Sequence, residues 1–82
     1  EIGSFIREKW YDCLSITPND YLITLDDDFF ELGGKSLHVA NMLTEIQNKY
    51  RNFPKDISLF YACPTIRALI NQIKSINAQT MH

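Results

Sequence analysis

The chain has 82 residues, of which 45% are hydrophobic and 22% are charged, and its formal net charge at pH 7 is −2. This length allows one small domain, and the composition argues against intrinsic disorder. The eight Lys and Arg residues are scattered, so the sequence lacks the basic face that nucleic-acid binding needs. No apolar run approaches the roughly 18 residues that span a bilayer, and nothing resembles a signal peptide. We therefore expect neither a nucleic acid nor a membrane as partner.

The first predicted element is an amphipathic helix over residues 1–16. Its apolar residues recur at spacings of three and four, which is typical of a helix with one buried face. They are Ile2, Phe5, Ile6, Trp10, Cys13 and Leu14. Thr17-Pro18 ends the helix, because proline disfavours helical geometry in the residue before it. We expect Trp10 to be a packing residue.

A long connection follows over residues 17–35. Part of it should pack against the core, because its first half is too apolar for a fully solvated loop. Its acidic residues are Asp20, Asp26, Asp27, Asp28 and Glu31. The last four cluster without the spacing of a calcium loop, so we interpret them as a solvated turn and predict no metal site. Phe30 is expected in the core, whereas Phe29 is open to either a core or a partner-binding role.

Three further helices are predicted, over residues 36–50, 56–61 and 64–77. The 36–50 helix carries an inward stripe of Val39, Ala40, Leu43, Ile46 and Tyr50. Ser36 lies at its start, where a serine oxygen can accept an unpaired backbone N–H. Pro64-Thr65 opens the last helix, since proline suits the first helical position. No strand pattern is present, so the predicted fold is all-α, a small four-helix bundle with a long first loop.

The two cysteines, Cys13 and Cys63, lie within apolar patterns. We interpret them as buried free thiols, because cysteine is among the most buried residue types. Free thiols favour a reducing, intracellular setting, and we expect a cytoplasmic location.

The segment that carries the chemistry is DDDFFELGGKS, residues 26–36. Its GGKS ending resembles a Walker A loop, but Phe29 stands where the first glycine of that motif should be, and no strand precedes it. A nucleophilic Ser36 would need a nearby base. His38 lies two residues away on the helix and therefore points to another side, and His82 is at the chain end. We therefore predict no catalytic residue and no metal centre.

The remaining interpretation makes Ser36 the substrate of another protein. Gly33 and Gly34 have no side chains that would block approach to its hydroxyl. The helix N-terminus behind Ser36 favours negative charge, so a phosphate ester there would be stabilised. Composition alone does not name the group that is added.

The stretch DDFFELGGKSLHVANML, residues 27–43, closely resembles the core motif of thiolation domains, the peptidyl or acyl carrier modules of nonribosomal peptide synthetases and related polyketide enzymes. Trp10 in the first helix and the LF…PTI segment, residues 59–66, extend the resemblance over nearly the whole chain. The matching motif residues are Phe29, Phe30, Leu32, Gly33, Gly34, Ser36 and Leu37.

The resemblance implies that Ser36 receives 4′-phosphopantetheine from coenzyme A through a phosphopantetheinyl transferase. The arm would carry amino acyl or peptidyl thioesters between adenylation, condensation, thioesterase or similar domains of a synthetase. The module itself would be non-catalytic and monomeric when isolated. Gly33, Gly34, Lys35 and Leu37 would surround the attachment point.

One position departs from the family pattern. Lys35 precedes the serine, where aspartate or histidine is common, and a cation there is electrostatically favourable for a phosphate. It either leaves modification unchanged or alters the choice of partner. Leu37, Met42 and Phe29 are predicted docking residues, with rim packing as the alternative for Met42.

Two rival functions stay open. The first is an acyl carrier of the polyketide or fatty-acid type, although such carriers tend to have a more acidic second helix. The second is a helical interaction module without a prosthetic group, in which the glycines only shape a turn and Ser36 only caps a helix.

Overall fold

The computed structural model describes the backbone of residues 2–54 and 57–80 and the side chains of residues 2–54 and 57–76. Over these ranges the secondary structure is entirely helical, with no strand. The helices are α1 (Ile2–Leu14), α2 (Ser36–Lys49), α3 (Ile57–Ala62) and α4 (Ile66–Thr80). The predicted all-α, four-helix architecture is confirmed. No helix of the described residues is long and apolar enough to cross a membrane.

Helix α1 packs against both α2 and α4. Its spacing of apolar residues explains this, because Ile6 and Trp10 lie one turn apart on the buried face and are fully buried. The Trp10 ring meets Phe29 of the first loop edge-on, with centroids 4.9 Å apart. On its outer side α1 is tied to α2 by an ion pair between Lys9 and Glu45, whose N and O atoms are 2.6 Å apart.

Helix α2 buries three residues of its predicted stripe, Val39, Leu43 and Ile46, which are at most 1% exposed. The other two, Ala40 and Tyr50, are half-buried. Met42, predicted on a partner-facing surface, is instead 0% exposed. The stripe is therefore wider than the sequence pattern suggested, because α1 also covers this flank of α2. Met42 is a core residue, and its expected role in docking is corrected.

Helix α4 begins two residues later than the sequence predicted. The Thr65 hydroxyl accepts a hydrogen bond from the Ala68 N–H at 3.2 Å, which is the geometry of an N-cap residue. The carbonyl of Pro64 is bonded to the Phe29 N–H at 2.9 Å, so it joins the first loop to α4 rather than starting the helix. Ile66, Leu69 and Ile73 then form the buried face of α4.

The first loop is only partly solvated, as its apolar residues predict. Ile23 is 1% exposed, whereas Leu22 is 69% exposed. Tyr11 of α1 holds this region: its hydroxyl donates to the Tyr21 carbonyl and accepts from the Ile23 N–H, both at 2.9 Å. The loop therefore has a fixed course across the bundle.

Cys13 and Cys63 are both free thiols, as predicted. Cys13 is half-buried, and burial raises the pKa of its thiol. Cys63 is exposed rather than buried, because it lies in the turn between α3 and α4 instead of on a helix face.

Candidate modification site at the start of helix α2

The turn that leads to α2 is built by Asp28 and Phe29. The Asp28 carboxylate accepts hydrogen bonds from the Phe30 N–H at 2.8 Å and the Glu31 N–H at 3.2 Å, which folds the chain back on itself. Phe29 is fully buried beneath this turn. It is therefore a core residue, and the expectation that it docks a partner is corrected.

Two further acids of the cluster, Asp26 and Asp27, also stabilise the loop. Asp26 pairs with Arg67 of α4 through two N–O contacts of 2.8 and 3.1 Å, and this pairing lowers the pKa of the Asp26 carboxyl. Asp27 accepts from the Thr24 N–H at 2.8 Å and the Tyr21 hydroxyl at 2.9 Å, which lowers its pKa as well. Among the described residues no group of acidic, His or Cys side chains is placed to hold a metal ion.

Gly33 and Gly34 have different structural roles. Gly33 has a φ of +100°, a conformation that side chains rarely adopt, but a Cβ there would meet no atom within 4 Å. A Cβ on Gly34 would collide with the Phe29 ring and lie 2.8 Å from the Phe29 carbonyl oxygen. Gly33 thus provides the positive φ that this turn needs, while Gly34 lets the backbone pass directly over the buried Phe29 ring.

Helix α2 begins at Ser36, and Lys35 is the extended residue just before it, with φ −126° and ψ 166°. The Lys35 N–H donates to His38 Nδ1 at 3.2 Å. A lysine side chain has no acceptor atom, so the opposite half of a capping box is absent at this position. The predicted capping by Ser36 is corrected: its hydroxyl lies within the first turn and bonds elsewhere.

The Ser36 hydroxyl lies 2.8 Å from the hydroxyl of Tyr61 in α3. Ser36 is exposed, and Tyr61 is 45% exposed. The Tyr61 ring stacks on Phe30, with centroids 5.0 Å apart and an interplanar angle of 6°. No local pattern in the sequence indicates this contact between residues that are 25 positions apart.

Among the described residues, no basic side chain forms a hydrogen bond with the Ser36 hydroxyl. In the described part of the chain His38 Nδ1 is occupied by the Lys35 N–H, and Ser36 bonds a phenol. His82 lies outside the described residues. This geometry suits a hydroxyl that another protein modifies, because a serine nucleophile of a hydrolase needs a positioned base.

Apolar side chains are exposed on the two helices that carry Ser36 and Tyr61. Leu37, the next residue on α2, is 71% exposed. On α3, which the Ser36–Tyr61 hydrogen bond joins to the start of α2, Ile57 is 40% and Leu59 is 47% exposed. Leu37 is thus the one predicted docking residue that the structure leaves on the surface. The exposed apolar side chains of α3 were not among the predicted docking residues.

The chain matches the family model described as "Phosphopantetheine attachment site" over residues 4–73. It therefore belongs to this family, whose members carry covalently attached 4′-phosphopantetheine, and it is a phosphopantetheine carrier domain. An exposed hydroxyl at the start of a helix, with an exposed cation at Lys35, fits such a group.

Among curated proteins, the chain is 33% identical over 79 residues to malformin synthetase mlfA of Aspergillus sclerotiicarbonarius, covering 96% of this chain and 2% of that protein. It is 29% identical over 73 residues to the L-2-aminoadipate reductase large subunit of Candida glabrata, covering 89% of this chain and 5% of the relative. It is also 29% identical over 70 residues to the hybrid PKS-NRPS synthetase TAS1 of Gloeophyllum trabeum, covering 85% of this chain and 4% of that synthetase. No solved structure was found to match.

Proposed function

We propose that Ser36 is the attachment point of 4′-phosphopantetheine, and that the chain carries amino acyl or peptidyl intermediates between the catalytic domains of a nonribosomal peptide synthetase. The observation that carries this proposal is the exposed Ser36 hydroxyl on the first residue of α2, which among the described side chains bonds the Tyr61 phenol and no base. When attached, the group supplies a thiol that holds the intermediate as a thioester. The chain makes no bond in its cargo.

The residues beside Ser36 favour an attached phosphate. The first N–H groups of α2 lack helical acceptors and give the helix start a partial positive charge. Lys35 adds an exposed full charge at the adjacent position. Gly33 leaves room for a transferase to approach Ser36, because the space where its Cβ would lie has no atom within 4 Å.

Leu37 and the exposed side chains of α3 are proposed as the surface that partners bind. Exposed apolar groups that lie together mark interaction sites, and Ser36 lies directly beside Leu37. The proposed partners are a phosphopantetheinyl transferase and the adenylation, condensation, thioesterase or similar domains of the parent synthetase. Met42 and Phe29 are buried and are not part of this surface.

The charge of α2 supports the peptidyl type of carrier. This helix contains one acid, Glu45, and one base, Lys49, in the sequence SLHVANMLTEIQNK. Acyl carriers of the polyketide or fatty-acid type tend to have a more acidic second helix. The name of the hybrid PKS-NRPS relative includes both types of synthetase, so an acyl carrier is the second candidate.

The test is modification in vitro. The purified chain is incubated with coenzyme A and a promiscuous phosphopantetheinyl transferase, and its intact mass is measured. We expect one phosphopantetheine adduct on the wild type and none on Ser36→Ala. Ser75→Ala is the matched control, because Ser75 is an exposed serine on α4, and it should be modified like the wild type.

Two outcomes contradict the proposal. A folded wild-type chain that gains no adduct supports the helical interaction module instead. Hydrolysis of a test ester by the unmodified chain, lost in Ser36→Ala, supports an enzyme.

A further inference from the structure

The hydrogen bond between Ser36 and Tyr61 joins the candidate attachment point to a helix 25 residues further along the chain. The two oxygens are 2.8 Å apart, the usual distance for an O–H···O bond. A phenol is more acidic than an aliphatic alcohol, so Tyr61 is the better donor and the serine oxygen the better acceptor. The Tyr61 hydroxyl therefore donates to the Ser36 oxygen, the atom to which a phosphate would be attached.

The position of the Tyr61 hydroxyl is set by the packing of its ring. Its ring lies parallel to the Phe30 ring at 5.0 Å. Phe30 in turn meets the Phe29 and Phe60 rings edge-on, with centroids 5.7 and 6.0 Å away. Phe29 and Phe60 belong to the hydrophobic core. Since the phenol rests on a packed aromatic cluster, it should keep its place when the chemistry of Ser36 changes.

Forming a phosphodiester on Ser36 changes the acceptor that faces this phenol. The serine oxygen loses its proton and bonds the pantetheine-side phosphorus of coenzyme A, the P–O bond of the pyrophosphate link breaks, and adenosine 3′,5′-bisphosphate leaves. The serine oxygen thereby becomes a bridging ester oxygen, which is a weak acceptor. Two non-bridging oxygens that share one negative charge appear one P–O bond further out. Hydrogen bonds to ionised oxygens are shorter than neutral ones and about twice as strong.

We propose that Tyr61 holds the phosphate of the attached arm, by donating its phenolic hydrogen to a non-bridging oxygen. This inference rests on the proposed function of Ser36. The contact directs the first bonds of the arm toward α3, where Leu59 and Ile57 are exposed. Tyr61 is a positioning residue: it sets the direction in which the arm leaves the domain and takes part in no bond-making.

The experiment compares the unmodified and modified chain by NMR, with tyrosine labelled with ¹³C at Cζ. The Cζ shift reports on the hydrogen bond of each phenol. We expect the Tyr61 signal to move on modification and the Tyr21 signal to stay. Tyr21 is a matched reference, because it is 42% exposed and its hydroxyl bonds a different side chain, Asp27.

Two variants test the phosphate side of the contact. Tyr61→Phe keeps the ring on Phe30 and removes only the hydroxyl, whereas Tyr21→Phe removes an equally exposed hydroxyl elsewhere. In the modified proteins, the ³¹P chemical shift of the phosphodiester should differ between Tyr61→Phe and wild type. It should be unchanged in Tyr21→Phe.

The outcomes separate this inference from the proposed function. A wild-type chain that is modified, with an unmoved Tyr61 Cζ signal and the same ³¹P shift in Tyr61→Phe, overturns the role of Tyr61 and leaves the carrier function standing. A wild-type chain that is never modified overturns both. The Cζ measurement needs no variant, so an unmoved Tyr61 signal overturns the role of Tyr61 even if Tyr61→Phe folds poorly.

Discussion

Replacing Gly34 by alanine is expected to destabilise the domain through one identifiable collision. The added Cβ would overlap the Phe29 ring and lie 2.8 Å from the Phe29 carbonyl oxygen. The ring cannot move aside freely, because it packs edge-on against Trp10 at 4.9 Å and Phe60 at 5.5 Å. Overpacking of a filled core costs about 1–3 kcal/mol. In a domain of this size each kcal/mol lowers Tm by roughly 4–8 °C.

The assay is urea or thermal unfolding of six proteins: wild type, Phe29→Leu, and both Gly34→Ala and Gly33→Ala, each alone and combined with Phe29→Leu. Phe29→Leu removes part of the ring that the Cβ would meet. Gly34→Ala should therefore cost less in the Phe29→Leu background, with a coupling free energy in the range of about 0.5–3 kcal/mol found for residues in contact. Gly33→Ala is the matched control, because it carries backbone strain of about 1–2 kcal/mol without a collision and should show no coupling to Phe29.

Equal costs of Gly34→Ala in both backgrounds would refute this reasoning. The same holds if Gly33→Ala couples to Phe29→Leu as strongly as Gly34→Ala does. Either result would mean that backbone conformation, and not the Phe29 ring, requires glycine at position 34.

Three further predictions concern the surface. The pairing with Arg67 lowers the pKa of Asp26 below its ordinary value of 3.8, so the ion pair stabilises the fold above that pH, and this stabilisation is lost as the pH falls through the folded-state pKa. Asp26→Asn should therefore reduce the loss of stability that acid causes in unfolding curves. An unchanged pH profile would contradict this. Exposed Cys63 should be alkylated faster than Cys13, whose half-buried thiol has a raised pKa, and equal rates by mass spectrometry would contradict the assigned burial. Leu37→Ser should change the unfolding free energy by no more than about 0.5 kcal/mol, because Leu37 is 71% exposed. The same variant should lower the kcat/KM of the transferase. A large loss of stability would place Leu37 in the core instead.

Much of the bundle follows from the sequence because helical periodicity is a local property. Spacings of three and four include Ile6 and Trp10 in the predicted apolar face of α1, and Val39, Leu43 and Ile46 in that of α2. The structure buries these five, while the flanking members of both predicted faces are half-buried. The start of α2 at Ser36 also agrees with the sequence pattern.

The tertiary contacts around the site could not be predicted from the sequence. Phe29 and Phe30 are adjacent, and which of them is fully buried depends on how Asp28 folds the turn. Met42 is buried because α1 covers one side of α2, which a single-helix pattern does not reveal. The approach of Tyr61 to Ser36 depends on the packing of α3 and leaves no local signal in the sequence.

The measurement that tests the central claim most directly is peptide mapping after treatment with coenzyme A and a phosphopantetheinyl transferase. Trypsin cleaves after Lys35 and Lys49, and the peptide between these sites contains Ser36 as its only serine. The account predicts that this peptide alone gains the phosphopantetheine mass, with fragmentation placing it on Ser36. An adduct on any other residue, or a folded chain without one, would contradict the account.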